Sequence, residues 1–242
     1  MDDLLFKIAI DNVLNEKIVN GIGTYKEKTL HRVIKRYISS DLRCHEVKID
    51  KCIVDVYDND MIYEIQTANF NKLRNKLDRL LENHIITIVF PIAHIKYLLW
   101  IDNETGEVSK KRKSPKIGSI YNVIKELYKI KMYLNHPNIR LKLLLIDMDE
   151  YRKKDGWGNN GKKGSHREER IPFNLFDEID LVSKLDYLQF IPEKLDEFTT
   201  KDLSLSCHIS LKISQVMVNI FKNMGIIYEI GKTGNLIKYK KV

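Results

Sequence analysis

The chain has 242 residues, 43% hydrophobic and 31% charged, and its 41 Lys and Arg outnumber 33 Asp and Glu to leave a formal charge of +8. Such a composition excludes a fibre or a disordered tail and leaves room for one large domain, or for a medium domain plus a small one. The basic excess suits a polyanionic partner, although plain surface lysines produce the same sum.

Three cysteines, Cys44, Cys52 and Cys207, form no CxxC pair. An odd, widely spaced set is not a disulfide framework, so reduced and mostly buried thiols are expected. The first residues, MDDLLFKIAIDNVLNEK, carry acids where a secretory signal would have its basic and apolar regions. No stretch reaches the roughly 18 apolar residues needed to cross a bilayer. The sequence therefore predicts a cytoplasmic protein with no membrane partner.

Residues 4–19 carry apolar side chains at helical spacing and predict a first helix. Asn20-Gly21-Ile22-Gly23-Thr24 breaks it, and a second helix is expected over residues 26–39 with Leu30, Ile34 and Ile38 on one stripe. Glu27 lies three residues before Leu30, which puts it on that inward stripe. Two β-branched runs follow, residues 51–57 and 61–67, separated by the turn signal Asp58-Asn59-Asp60. Helical periodicity returns over residues 69–82 through Phe70, Leu73, Leu77, Leu80 and Leu81. Residues 85–92 are continuously apolar, as a buried strand is. A second hairpin is expected around Asn103-Glu104-Thr105-Gly106, then a helix near residues 119–130 and a strand over 140–147. This order predicts an α/β fold with a mixed central sheet flanked by helices.

Residues 151–170 hold four glycines, Trp157 and seven Lys or Arg against three acids. The segment reads as irregular. It is either a solvated surface loop or a basic arm, carrying Lys162, Lys163 and Arg167, that follows a phosphate backbone. Lys110, Lys111, Arg112, Lys113 and Lys116 put five cations into seven residues, which suits either phosphate contacts or a solvated hairpin end.

After Pro192 a threonine-capped helix start at residues 198–203 is followed by an amphipathic helix over 209–224, which Gly225 stops. Two short strands, 226–230 and 236–240, surround Gly231-Lys232-Thr233-Gly234-Asn235. Two helices and a hairpin with a Gly-Lys tip have the layout of a winged helix-turn-helix. From Thr199 onward seven Lys face only Asp202 and Glu229, and Lys212 and Lys232 would touch DNA. A small interaction domain that never meets DNA has the same pattern. The expected division is residues 1–172 and a winged-helix domain with a preceding linker helix at 173–242.

The segment with chemistry in it is Cys52-Ile-Val-Asp55-Val-Tyr-Asp-Asn-Asp-Met-Ile-Tyr-Glu64-Ile-Gln66-Thr67. With Asn59-Asp60 as a two-residue loop, strand alternation puts Asp55 opposite Glu64 and Gln66 on the same face as Glu64. Two carboxylates about 5 Å apart repel unless water or a cation intervenes. Ile53, Val54, Val56, Ile62 and Ile65 place apolar groups on both faces, which predicts a central hairpin and favours a bound magnesium or manganese ion. His31 is either a satisfied structural histidine or a neighbour of this site. His84, His94, His136 and His208 have no mutual metal-ligand spacing.

An aspartate on one strand, then Glu-x-Gln on the next, with Glu27 as a helical acid, resembles the PD-(D/E)xK nuclease superfamily. Residues 63–67 followed by Phe70 and Lys72-Leu-Arg-Asn-Lys76-Leu77 also look like an uncharacterised bacterial family of restriction-endonuclease-like fold with a C-terminal winged helix. The resemblance implies metal-assisted phosphodiester hydrolysis, with Asp55, Glu64 and the Ile65 carbonyl as ligands of Mg2+ or Mn2+ and Glu27 assisting. The superfamily usually has lysine where this chain has Gln66, and glutamine supplies only the hydrogen-bonding part. Lys72 and Lys76 are the candidates for a relocated lysine, with Lys76, beside the apolar stripe, preferred.

Three readings follow. One is a magnesium-dependent DNA endonuclease, for which cutting both strands would call for a homodimer. The second is an inactive DNA-binding regulator on the same scaffold. The third is a protein-interaction module of a defence or toxin system.

Overall fold

The computed structural model describes residues 3–20, 28–153 and 166–242. The chain runs through α1 (Asp3–Asn20), α2 (Thr29–Ile38), β1 (His45–Ile49), β2 (Cys52–Asp58), β3 (Met61–Ile65), α3 (Arg74–Leu80) and β4 (Ile85–Ile101). It continues with β5 (Arg112–Lys113), α4 (Ile124–Lys129), β6 (Ile139–Lys153) and β7 (His166–Leu181). Then come β8 (Glu197–Thr199), α5 (Thr200–Ser206), α6 (Leu211–Met224), β9 (Ile227–Thr233) and β10 (Leu236–Lys241). A seven-stranded sheet has the order β1-β2-β3-β4-β6-β7, with β5 on β4, and a second sheet has the order β8-β10-β9. The large sheet is mixed: β3 and β4 pair in parallel, whereas β1–β2 and β4–β5 are antiparallel. This is the α/β architecture with a mixed sheet and helices that the sequence predicts.

The residues divide into two units that interleave along the chain, one of 1–58, 91–119 and 144–178, the other of 59–90, 120–143 and 179–242. In the first unit α1 buries Phe6, Ala9, Ile10 and Val13, an i, i+3, i+4, i+7 stripe, while Leu4, Leu5 and Ile8 stay exposed. Phe6 meets Tyr37 of α2 edge-on at 5.3 Å, and Leu30, Val33 and Ile34 bury the α2 stripe. The turn after β4 forms as expected: Asp102 N–H donates to the Glu107 carbonyl and Gly106 takes φ 74°.

In the second unit the parallel pair runs Met61↔Ile85 to Ile65↔Val89, and α3 makes the crossover between them. Asn69 takes a left-handed φ of 61°, a 3-10 turn follows at Phe70–Leu73, and α3 buries Leu77 and Leu80. Phe70 stacks edge-on against Phe90 at 5.5 Å. Thr199 and Asp202 form a reciprocal capping box that starts α5, and Ser210 caps α6. Gly225, at φ 69°, ends α6 in the left-handed conformation that costs glycine nothing. Phe190 packs between Tyr121, Tyr187 and Phe221.

Several boundaries differ from the sequence reading. The runs at 85–92 and 97–101 form one strand, β4, of 17 residues. Residues 151–153 and 166–170 were expected in an irregular segment but belong to β6 and β7. Neither β1 nor β7 was foreseen. Both stand at the ends of the sheet order, where one side of the strand is unpaired and polar, so the alternation is diluted by charge. The helix near 119–130 begins with a 3-10 turn at Ile120–Val123. The C-terminal hairpin turns at Gly234-Asn235, which leaves Gly231 and Lys232 inside β9. The break at residues 21–24 and the first residues of the second helix, Glu27 included, lie outside the described residues.

Among the described helices none is long and apolar enough to cross a membrane. Gly118 donates its N–H to the His94 carbonyl, and a Cβ placed on it would lie 2.2 Å from the Ala93 carbonyl oxygen. Gly118→Ala is therefore expected to destabilise the protein by about 1–3 kcal/mol, read as a lower denaturant midpoint with the slope unchanged.

Candidate functional site

Asp55 sits in the middle of β2, where Val54 and Val56 point the other way and are buried. Its own face also carries Ile53, which is 62% exposed. The hairpin strands β2 and β3 are interior to the sheet order, as the central hairpin expected from the sequence would be, although one of its five hydrophobes, Ile53, lies open to solvent. Asp55 itself is half-buried. From α2, His31 brings Nε2 to 3.3 Å from Asp55 Oδ2, so this histidine is a neighbour of the aspartate. It lies one position off the buried Leu30 stripe, at the margin of the helix face that packs inward.

Asn59 and Asp60 both take left-handed φ angles, 48° and 59°, and form the two-residue connection between Asp58 and Met61. These are the angles of the tight hairpin turn whose twist matches the flanking strands. On β3, Glu64 is only 2% exposed. Lys76 of α3 places its Nζ 2.7 Å and 2.8 Å from the two carboxylate oxygens of Glu64. The lysine side chain is 28% exposed, so its stem lies along the protein while the ammonium reaches the strand. Lys72, the other candidate, is exposed. Ile65 is buried, and the Gln66 N–H donates to the Val89 carbonyl at 2.9 Å, which extends the parallel ladder by one step.

A buried carboxylate costs several kcal/mol of desolvation, which a close cation offsets only when its geometry is good. The two-oxygen contact from Lys76 meets that condition. Carboxylates and peptide carbonyls are hard oxygen donors, the kind that magnesium and manganese take. Among the described residues no group of three or more His, Cys, Asp or Glu is arranged to hold a metal ion. Glu27, the third acid of the expected set, lies outside them.

The predicted basic contacts fare unequally. Lys110, Arg112 and Lys113 are exposed, and the last two form β5. Lys111 is occupied, with Asp149 at 2.7 Å and its ammonium over the rings of Tyr97 and Phe173. Arg167 is exposed on β7, whereas Lys162 and Lys163 fall outside the described residues. In the C-terminal segment Lys222 pairs with Glu229, and Lys238 pairs with Glu197. Lys240 lies near Asp196 and Glu197. Lys212 and Lys232 are exposed and take part in no ion pair among the described residues. The later half of α6 is engaged by its own unit: Asn219 accepts from Lys131, and the Asn223 carbonyl accepts from Asn135.

Two buried acids on β6 are absent from the sequence reading: Asp147, the last residue of the strand expected there, and Glu150, beyond its expected end. Asp147 accepts from the Ile95 N–H at 2.9 Å and from Asn174, and lies 2.9 Å from His94 Nδ1. Glu150, fully buried, receives Arg152 on one oxygen at 2.6 Å, and Lys96 and Arg170, each at 3.2 Å, on the other. Burial alone would push the Glu150 carboxyl up, but the Arg152 hydrogen bond and the Lys96 and Arg170 charges outweigh it and hold it below the usual range. The available signal was the alternation Met148, Glu150, Arg152, which continues β6 past its acidic patch.

Lys76→Met should lower stability by about 3 kcal/mol, since it takes the ammonium away from both oxygens of the buried Glu64 carboxylate. Glu64→Gln combined with Lys76→Met should recover most of that loss in chemical denaturation. The depressed Glu150 carboxyl contributes stability that is complete above its unfolded value of about 4.3 and is lost as pH falls through its lower folded value. Denaturation midpoints measured from neutral to acid pH should fall less steeply in Glu150→Gln than in the wild type.

Comparison with known proteins places residues 28–182 in a family described as a domain of unknown function, DUF8091. An uncharacterized protein of Treponema pallidum (strain Nichols) is 30% identical over 185 residues, covering 76% of this chain and 73% of that protein. No solved structure matches. The matched residues run from α2 past the end of β7, and so contain Asp55, Glu64, Lys76 and Glu150. The chain belongs to the DUF8091 family.

Proposed function

We propose that this protein is a metal-dependent DNA endonuclease of PD-(D/E)xK type, acting in the cytoplasm, with DNA delivered by a C-terminal winged helix. The observation that carries the reading is the Lys76 ammonium on both oxygens of Glu64. Where the resemblance calls for a lysine near the strand glutamate, this chain has Gln66, and the charge comes from the following helix instead. Asp55, Glu64 and the Ile65 carbonyl would hold magnesium or manganese, which when bound lowers the pKa of a water and stabilises charge on the phosphate. Lys76 holds the Glu64 carboxylate in place through both of its oxygens. Gln66 offers an amide that can orient a water or a phosphate oxygen, and His31 fixes the Asp55 carboxylate. Glu27 would assist as a further acid.

The winged-helix reading assigns α6 to recognition and the β9–β10 hairpin to the wing. Lys212 in the first turn of α6 and Lys232 on the hairpin are the side chains offered to DNA, because the other half of α6 is occupied. Cutting of both strands would require a homodimer. A second reading, a DNA-binding regulator without catalysis, is favoured by the neutral Gln66 and by the lack of a three-acid cluster among the described residues.

The test is cleavage of plasmid and oligonucleotide DNA with magnesium or manganese, comparing wild type with Asp55→Ala and Glu64→Ala. Metal-dependent nicking that disappears in both variants is expected. Metal-independent binding with no cleavage by any of the three proteins would overturn the enzyme reading and leave the regulator.

A further inference from the structure

Three cations converge on Glu150, although one is enough to neutralise a carboxylate. Lys96 comes from β4, Arg152 from β6 two residues after Glu150, and Arg170 from β7. These strands are neighbours in the sheet order, so the cluster is built on rigid backbone. The side chains of Lys96, Arg152 and Arg170 are 20%, 32% and 19% exposed, buried enough to be held and open enough to be reached.

The donors are only partly used. Arg170 gives Glu150 its Nε alone, which leaves both terminal nitrogens. Arg152 gives Nε and one terminal nitrogen, which leaves the other. Lys96 makes one hydrogen bond. The nearby acids on β7 are engaged otherwise: Glu168 meets His166 and Lys153, and Glu169 accepts from the Thr29 and Arg170 amides. The sum of one carboxylate and three cations is +2.

Burial first, then the like charges of its neighbours, weakens the hold of Lys96 and of Arg170 on their protons, with Arg167 adding to the effect on Arg170. The arrangement therefore contains repulsion that a second anion would relieve. Guanidinium forks fixed by a buried carboxylate present the planar donor pairs that oxyanions of phosphorus accept.

We propose that Lys96, Arg152 and Arg170, anchored by Glu150, form a cradle for a phosphate group, and that the phosphate is one of a polynucleotide backbone. The identity of the polynucleotide rests on the function proposed above; the phosphate chemistry does not. Glu150 acts as the fixed hub that orders the cations, and the free donors grip the phosphate oxygens. Because the contact is to backbone, it carries affinity and no base preference.

The experiment uses the full chain and two probes: a fluorescein-labelled single-stranded 20-mer followed by anisotropy across a salt series, and inorganic pyrophosphate followed by the thermal midpoint. Lys96→Gln and Arg152→Gln are compared with wild type, and with Lys48→Gln on the exposed edge strand β1 as a control. Arg152→Lys is added because it retains the charge on Glu150 and loses only the fork. Each Gln variant should bind the 20-mer about tenfold more weakly, and the slope of log affinity against log salt should shrink by about 0.7 for each lost contact. Arg152→Lys should weaken binding with the slope unchanged. A 20-mer that binds all these proteins equally, with one slope, removes the cradle while leaving nucleic-acid binding elsewhere intact. If the wild type ignores the 20-mer but pyrophosphate raises its midpoint and not those of the Gln variants, the cradle stands and its phosphate is that of a small molecule. If neither probe acts on the wild type, the cradle is overturned.

Discussion

A carboxylate taken out of water inside a β-sheet must be met within hydrogen-bond reach by cations or by N–H donors, and among the described residues three acids are buried, one on β3 and two on β6. Glu64 on β3 takes the ammonium of Lys76. Asp147 on β6 takes a backbone amide, an asparagine and a histidine, and Glu150 takes an ammonium and two guanidiniums. Each solution fixes the element that supplies it. The crossover helix α3 must start where Lys76 can reach back to β3, and β7 must be in register with β6 for Arg170 to find Glu150. Hydrophobic burial drives the association of these elements and sets which face of each strand points inward. The acids add a further demand, because a displaced partner leaves a charge without water and without a counterion.

How much of this is legible in the sequence depends on where an element sits in the sheet. The central run at β4 is continuously apolar because both of its faces are covered, and it reads at once as a buried strand. The turns at Asn59-Asp60 and Asn103–Gly106 are equally plain, since their residues tolerate left-handed backbone. Strands β1 and β7 escape the same reading because they stand at the ends of the sheet, and seven of the sixteen residues of β7 are acidic, lysine or arginine. Charge at an edge guards against pairing with another chain, yet on the page it resembles a loop.

The candidate site shows the same limit. Helical spacing placed Lys76 next to a buried stripe, and that was enough to prefer it over Lys72, although the contact with Glu64 is a matter of tertiary packing. The Glu150 cluster had no comparable local signal. Arg152 is two residues from the carboxylate, but Lys96 and Arg170 are 54 and 20 residues away along the chain, so no short window of sequence contains the cluster. The two sets also differ in chemistry. Lys76 brings its ammonium to Glu64, whereas around Glu150 cations are in surplus. The first arrangement suits a carboxylate held in place, and the second suits the reception of negative charge from outside.

The interleaving of the two units has a consequence for biosynthesis. The first unit is not complete until residue 178 has been made, and the second needs the chain to its end. During translation the apolar residues of β3 and β4 therefore leave the ribosome well before all of the partners that cover them exist. Closing contacts over such sequence separations is slow, and exposed strands of this kind are the segments on which chaperones act and from which aggregates grow. The same arrangement leaves no point at which the gene could be divided into two independently folding halves, so exchange of either unit between relatives would have to move the other with it.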